Sequence, residues 1–248
     1  MNRYLMRLAY RGAGFHGWQS QPNAVSVQSV VEQALHTALR TEVPIVGAGR
    51  TDTGVNARTM FAHFDFDGEL PDTGRLLVSL NRLVGKDIAI HDIRRVRDDF
   101  HARFDATERT YKYFVSFVKN PFIYPLSWFC HTPLDLSRMN EAADILLETS
   151  DFTSFAKLHS DAKTNICDVR CARWEYLQDN TAVFTISADR FLRNMVRAVV
   201  GTLVDVGRGK LTLHDFREVI KSKDRCAAGQ SMPGEALFLW DIKYDSFI

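Results

Sequence analysis

Between residues 46 and 57 the chain reads Val46-Gly47-Ala48-Gly49-Arg50-Thr51-Asp52-Thr53-Gly54-Val55-Asn56-Ala57. One carboxylate, Asp52, stands among three glycines, and the guanidinium of Arg50 lies two residues upstream. Gly47, Gly49 and Gly54 open dihedrals that other residues avoid, so such a loop is able to aim a side chain at a fixed angle. A nearby guanidinium lowers a carboxylate pKa, by about 1–3 units in favourable geometry. An ionised carboxylate held in that way suits a nucleophile or a base. The competing reading is a turn aspartate bonded to its own backbone, and Arg50 weakens it.

Two other stretches carry chemistry-bearing side chains. The first runs from Asp98 to Tyr113 and includes Arg103, Arg109, Tyr111 and Tyr113. On a strand Tyr111 and Tyr113 share a face. They are either sheet packing or, beside Arg103 and Arg109, a platform on which a base stacks. The second, Asp189 to Leu203, has Arg190, Arg193 and Arg197 at i, i+3 and i+7. On a helix these form one stripe, opposite Met195, Val196, Val199, Val200 and Leu203. An amphipathic helix needs a polar face anyway, but three arginines unmixed with lysine or glutamate favour phosphate contacts. The cluster Arg94, Arg95 and Arg97 reads more simply as a solvated strand edge.

Some patterns mislead. Gly47-x-Gly49 has Asp52 where a dinucleotide-binding loop needs its third glycine. Asp52-Thr53-Gly54 and Asp72-Thr73-Gly74 both spell the aspartic-protease triplet. Asp72, however, sits where a helix begins and reads as its N-cap, and interleaved helices and strands fit no all-β protease.

The elements that position these residues follow from periodicity and punctuation. Strands are expected at Tyr4–Arg11, Val43–Val46, Arg58–Phe66 and Asp87–Val96. Ser26 and Asp72 cap helices, the first running to about Arg40 and the second carrying Leu76, Leu77, Leu80 and Leu83. That order, β-α-β-β-α-β, is the ferredoxin-like unit, with Asp52 on the connection between its second and third strands. The second half repeats it: strands at Thr110–Val118, Ile166–Leu177, Ala182–Ala188 and Leu237–Tyr244, with helices at Asp135–Leu147, Phe191–Val206 and Thr212–Ser222. The class is α+β, with halves 1–105 and 106–248 and a shared cleft as the expected site.

Composition bounds the function. The chain has 248 residues, 46% hydrophobic and 25% charged, with a net charge of +1. Nucleic-acid binding would therefore rest on local patches and not on bulk charge. Arginines at positions 3, 7 and 11 break any signal-peptide core, and no apolar run approaches the ~20 residues of a membrane span. Cys130, Cys167, Cys171 and Cys226 match neither a disulfide framework nor a zinc site. They are read as reduced, and the protein as cytoplasmic.

Gly49-Arg50-Thr51-Asp52-Thr53-Gly54-Val55-Asn56-Ala57 resembles the signature of the TruA family of tRNA pseudouridine synthases. Gly17-Trp18-Gln19, Asp99-Phe100-His101-Ala102-Arg103, Arg109-x-Tyr111-Lys112-Tyr113, Asp151-Phe152-Thr153-Ser154-Phe155 and Phe191-Leu192-Arg193-Asn194-Met195-Val196-Arg197 look like further family blocks, in family order. The likeness covers nearly the whole chain. Thr53 and Asn56 depart from it, since the family more often has Ala and His there. Ala236-Leu237-Phe238-Leu239 departs where the family usually has Gly-Leu-x-Leu.

The resemblance implies the pseudouridine synthase fold: two ferredoxin-like halves with mixed, largely antiparallel sheets around a central cleft. It implies isomerisation of uridine to pseudouridine at positions 38, 39 and 40 in the anticodon arm of tRNA. It also implies a homodimer, no cofactor and no metal. Asp52 matches the family's catalytic aspartate, Arg50 the arginine paired with it, and Tyr111 the tyrosine stacked on the target uracil. Arg103, Arg109, Arg193 and Arg197 are the expected substrate contacts. Asp52 could attack C1′ or C6, or take the C2′ proton. The alternative from another class is a non-catalytic RNA-binding protein on the same scaffold, which would leave Asp52 and Arg50 unexplained.

Overall fold

The computed structural model describes residues 1–70, 72–157 and 163–246. In chain order its elements are β1 (Asn2–Tyr10), α1 (Val27–Leu39), β2 (Val46–Gly47), β3 (Asn56–Phe66), α2 (Thr73–Leu83), β4 (Ile88–Arg95), β5 (Ala106–Ser116), β6 (Trp128–Phe129), α3 (Leu136–Leu147), β7 (Val169–Tyr176), β8 (Thr181–Ala188), α4 (Met195–Gly207), α5 (Leu213–Ser222) and β9 (Leu237–Tyr244). The chain divides into two compact units, residues 1–107 with 239–248, and residues 108–238. Among the described residues no helix is long and apolar enough to cross a membrane.

In the first unit β1 pairs antiparallel with β3 on one side and β4 on the other. The short β2 pairs with β3 at Val46↔His63 and Gly47↔Ala62. This is the ferredoxin-like arrangement expected from the pattern. The second strand is only two residues long, because Pro44 cannot donate to a ladder. Ser26 caps α1 through a box with Ser29, and the helix buries Val27, Val31, Ala34 and Leu35. Asp72 caps α2 by accepting from the Gly74 and Arg75 amides, which disposes of the second protease triplet. Leu76 and Leu80 are buried under it, while Leu83 is exposed and Val84 takes the buried place.

In the second unit β8 lies between β5 and β7, antiparallel to both. The β7–β8 turn puts Asp179 and Asn180 at φ of 58° and 54°, the left-handed pair favoured in tight hairpins. Trp174 stacks on Phe184 at 5.0 Å, and Phe152, Phe155 and Phe216 are fully buried. A buried aromatic or aliphatic side chain of this kind contributes about 1.5–3 kcal/mol.

Two expectations change. β9, read as the end of the second half, belongs to the first unit from Leu239 onward. There Trp240 sits under the Arg58 guanidinium at 4.3 Å, and the Tyr244 hydroxyl donates to the Ala102 carbonyl at 2.6 Å. An alternating strand does not reveal its partner. The helix expected from Phe191 begins only at Met195. Asn194 is left-handed at φ 67°, and the Arg193 carbonyl accepts from the Lys157 amide at 3.0 Å. Arg190 and Arg193 therefore precede the helix and form no stripe with Arg197.

Candidate active site

Asp52 opens a tight turn. The Val55 amide donates to the Asp52 carbonyl at 3.1 Å, and Gly54 takes φ 79° at the third position, where such a turn wants glycine. The other two glycines serve differently. A Cβ on Gly47 would lie 2.4 Å from Nε1 of Trp18, whereas one on Gly49 would meet nothing. Asp52 itself is half-buried.

A second loop, from Tyr10 to Trp18, grips this turn on both sides. The Trp18 amide donates to the Thr51 carbonyl at 3.2 Å, and the Gly54 amide reaches the Phe15 carbonyl at 3.5 Å. The Tyr10 and Thr51 hydroxyls share a buried hydrogen bond of 2.8 Å. The Gly12 amide donates to Asn56 Oδ1 at 2.8 Å. Contact is close enough that a Cβ on Gly12 would stand 2.2 Å from the Val55 carbonyl oxygen, and one on Gly17 2.4 Å from that of Thr51. The gripping loop is fixed in turn: Gly17 and Trp18 carbonyls accept from the first amides of α1, Val27 and Gln28, groups that a helix start otherwise leaves unsatisfied. Asp52 thus sits on a turn tied to β1, to α1 and to β3. Tyr10, Gly12 and Asn56 were not picked out from sequence as site residues. The glycines at 12, 14 and 17 beside Trp18 were the signal available.

Arg50, two residues before Asp52, is exposed. Arg103 is exposed in the same unit, its guanidinium 5.7 Å from the Phe104 ring. The cluster at 94–97 is solvated and charge-balanced: Arg94 pairs with Asp92, Arg95 with Asp98, and Arg97 with Asp99 and Asp105.

In the second unit Tyr111 is half-buried on β5, its ring edge-on to Phe191 at 5.1 Å. Arg109 donates from Nη1 to the Asp189 carbonyl at 2.7 Å, and Asp189 Oδ1 accepts the amides of Asp168 and Arg190, both at 2.7 Å. Arg193 is exposed. Arg197 is half-buried, and its Nε donates to the Met232 carbonyl. Tyr113, on the same face as Tyr111, is fully buried, with no hydrogen-bond partner for its hydroxyl among the described groups. Burial pushes that phenol far above its ordinary pKa, so it is no proton carrier near neutrality. Burial also pushes the Cys167 thiol up to about 12, which removes it as a nucleophile. Among the described residues no group of three His, Cys, Asp or Glu side chains is placed to hold a metal ion.

A family profile described as tRNA pseudouridine synthase matches residues 142–245. A tRNA pseudouridine synthase A of Bacteroides fragilis is 54% identical over 244 residues, covering 98% of this chain and 97% of that protein. One from Bacteroides thetaiotaomicron is 55% identical over 246 residues, covering 98% and 91%. One from Chlorobaculum tepidum is 38% identical over 240 residues, covering 96% of each. Identity of this extent across the full length of these proteins defines the class first, that of pseudouridine synthases. The chain belongs to the tRNA pseudouridine synthase A family.

Proposed function

We propose that Asp52 is the reacting group of a tRNA pseudouridine synthase that converts uridines 38, 39 and 40 of the anticodon arm to pseudouridine. The activity class, isomerisation of uridine in tRNA, is that of the family. The observation that carries the residue assignment is the clamped turn: its backbone and neighbouring side chains are held by hydrogen bonds from both flanks, and it presents the half-exposed Asp52. A protein that only bound RNA would have no use for a carboxylate on so firmly held a turn, since carboxylates repel phosphate.

In the reaction the N1–C1′ bond breaks, a C5–C1′ bond forms, C5 loses a proton and N1 gains one. No electrons are gained or lost overall, so no redox partner is called for. As nucleophile, Asp52 attacks C1′ and the uracil leaves through N1. The ring turns over, C5 attacks C1′, and the carboxylate is released. Attack at C6 or removal of the C2′ proton would also require the ionised carboxylate. The target base must first leave its stack, at a cost of a few kcal/mol. Tyr111 provides an aromatic face for the detached uracil, and its hydroxyl is a candidate base for the C5 proton. Arg50, exposed beside Asp52 in sequence, occupies the space the base vacates.

Arg103, Arg109, Arg193 and Arg197 are assigned to the RNA backbone. The half carrying the Asp52 loop, 1–105, supplies the chemistry. The unit at 108–238 supplies the stacking tyrosine and most of the arginines. The family resemblance supports a homodimer in which each tRNA touches both subunits. The four free cysteines fit a cytoplasmic setting.

Asp52→Asn tests the assignment. It keeps shape and tolerates turn dihedrals, so tRNA affinity should stay within about twofold, because binding rests on phosphate contacts. Single-turnover pseudouridine formation should vanish. Substantial product from a contamination-free Asp52→Asn enzyme would refute the role of Asp52.

A further inference from the structure

The loop before β5 carries an aromatic ring that the proposed mechanism does not use. Phe104 is 73% exposed, yet its ring is held in place. It lies against the His101 ring at 4.2 Å with the planes 33° apart. His101 in turn packs on His63 at 4.7 Å, and His63 is buried, accepting the Ala102 amide on Nδ1 at 3.1 Å. The backbone is pinned by the same groups. His101 Nδ1 accepts the amides of Arg103 and Phe104 at 3.2 and 3.3 Å, and Asp105 accepts the His101 amide at 3.0 Å.

A loose surface phenylalanine would collapse onto the nearest apolar surface or sample several rotamers. This one is instead the outermost of three rings in successive tilted contact, the innermost of which, His63, is buried in the first unit. The Arg103 guanidinium lies 5.7 Å from its centroid, within cation–π range. The acidic residues of the loop do not leave it repulsive to phosphate, since Arg95 and Arg97 pair with Asp98, Asp99 and Asp105.

We infer that Phe104 is a stacking platform for an unpaired nucleobase of the RNA substrate, with Arg103 beside it as the phosphate or cation–π partner. A pre-positioned ring offers the stacking face that single-stranded RNA recognition uses, and its rigidity spares the entropy of ordering a mobile side chain. The ligand is a base that stands outside a helical stack, of the kind an enzyme produces when it extracts a nucleotide from an anticodon arm. The inference rests on the tRNA reading above but not on which residue performs the chemistry.

The probe is an unmodified tRNA anticodon stem-loop, titrated against wild type, Phe104→Ala and Phe104→Trp at several salt concentrations. Because the ring is mostly exposed, truncation removes little packing, and thermal melting checks that the fold persists. Phe104→Ala should bind about 5- to 100-fold more weakly, with an unchanged slope of log affinity against log salt, because no counterion release is lost. Phe104→Trp should restore affinity. Binding by Phe104→Ala within twofold of wild type overturns the platform, as does failure of Trp to rescue. A shallower salt slope for Phe104→Ala also overturns it, since that is the mark of a phosphate contact. Asp52→Asn measured alongside keeps the two readings apart: it bears on the reacting group alone, and Phe104→Ala on the platform alone.

Discussion

The hydrogen bond between Tyr10 and Thr51 is the sharpest handle on how the reacting loop is held. Both residues are buried, 4% and 8% exposed, and their hydroxyls are 2.8 Å apart. Tyr10→Phe removes one partner and leaves the Thr51 hydroxyl buried away from water. An orphaned buried hydroxyl costs about 1–3 kcal/mol, whereas replacing both partners by apolar groups is nearly neutral. For a chain of this length each kcal/mol moves Tm by about 2–4 °C. Tyr10→Phe should thus melt several degrees lower, and Tyr10→Phe with Thr51→Val should recover most of the loss. Activity should behave differently. Thr51 adjoins Asp52, and a displacement of about 1 Å at a reacting group costs on the order of 100-fold. Single-turnover rate should fall at least tenfold in the single variant and stay low in the double, with tRNA affinity little changed. The assays are a double-mutant cycle by thermal denaturation and single-turnover pseudouridine mapping on the same samples. Additive losses across the cycle would show that the hydroxyls are not coupled. A wild-type rate in Tyr10→Phe would show that this bond does not position Asp52.

Gly17→Ala should be more severe, because φ is 87° and the new Cβ would meet the Thr51 carbonyl oxygen at 2.4 Å; loss of rate and of melting temperature together is expected, and a normal rate would contradict the close approach of the two loops. Arg193→Ala, at an exposed site, should reduce the salt slope of tRNA binding by about 0.7–0.9, and an unchanged slope would remove it from the phosphate contacts. Arg197→Ala should weaken binding and also destabilise the fold by about 1.5–3 kcal/mol, because its charged bond to the Met232 carbonyl is lost; a wild-type melting temperature in Arg197→Ala would count against that cost. His63 is pushed down to about 4, chiefly by burial and then by His101 and Arg3, against smaller opposing effects of Asp65 and Asp105. The unfolded chain therefore takes up this proton first, so the His63 contribution is intact above about pH 6.5 and declines as pH falls toward 4, by at most ~3 kcal/mol. Denaturant midpoints at pH 7 and 5 should differ more in wild type than in His63→Gln, and equal differences would remove His63 as the cause.

Much of this protein was legible in its order of residues. The split β-α-β-β-α-β pattern, the capping of α1 by Ser26 and of α2 by Asp72, and the placement of Asp52 between two strands are local matters. They depend on periodicity and on side chains reaching their own backbone within a few residues. The turn at Gly54 belongs with them, since the dihedral demand is set by adjacent residues. What tertiary structure alone decided involves partners far apart in the chain. The grip of residues 10–18 on residues 51–56 joins segments some forty positions apart, and no sequence spacing announces it. The arginines at 190, 193 and 197 had helical spacing, but an amide from Lys157 took the Arg193 carbonyl and Asn194 turned left-handed, so the helix began late. Arg50 and Asp52 are two residues apart in sequence, yet the turn leaves Arg50 exposed and Asp52 half-buried, a difference that spacing alone does not set. The last strand kept its alternation but exchanged its unit, because a strand's periodicity fixes which faces are buried and not which backbone it pairs with.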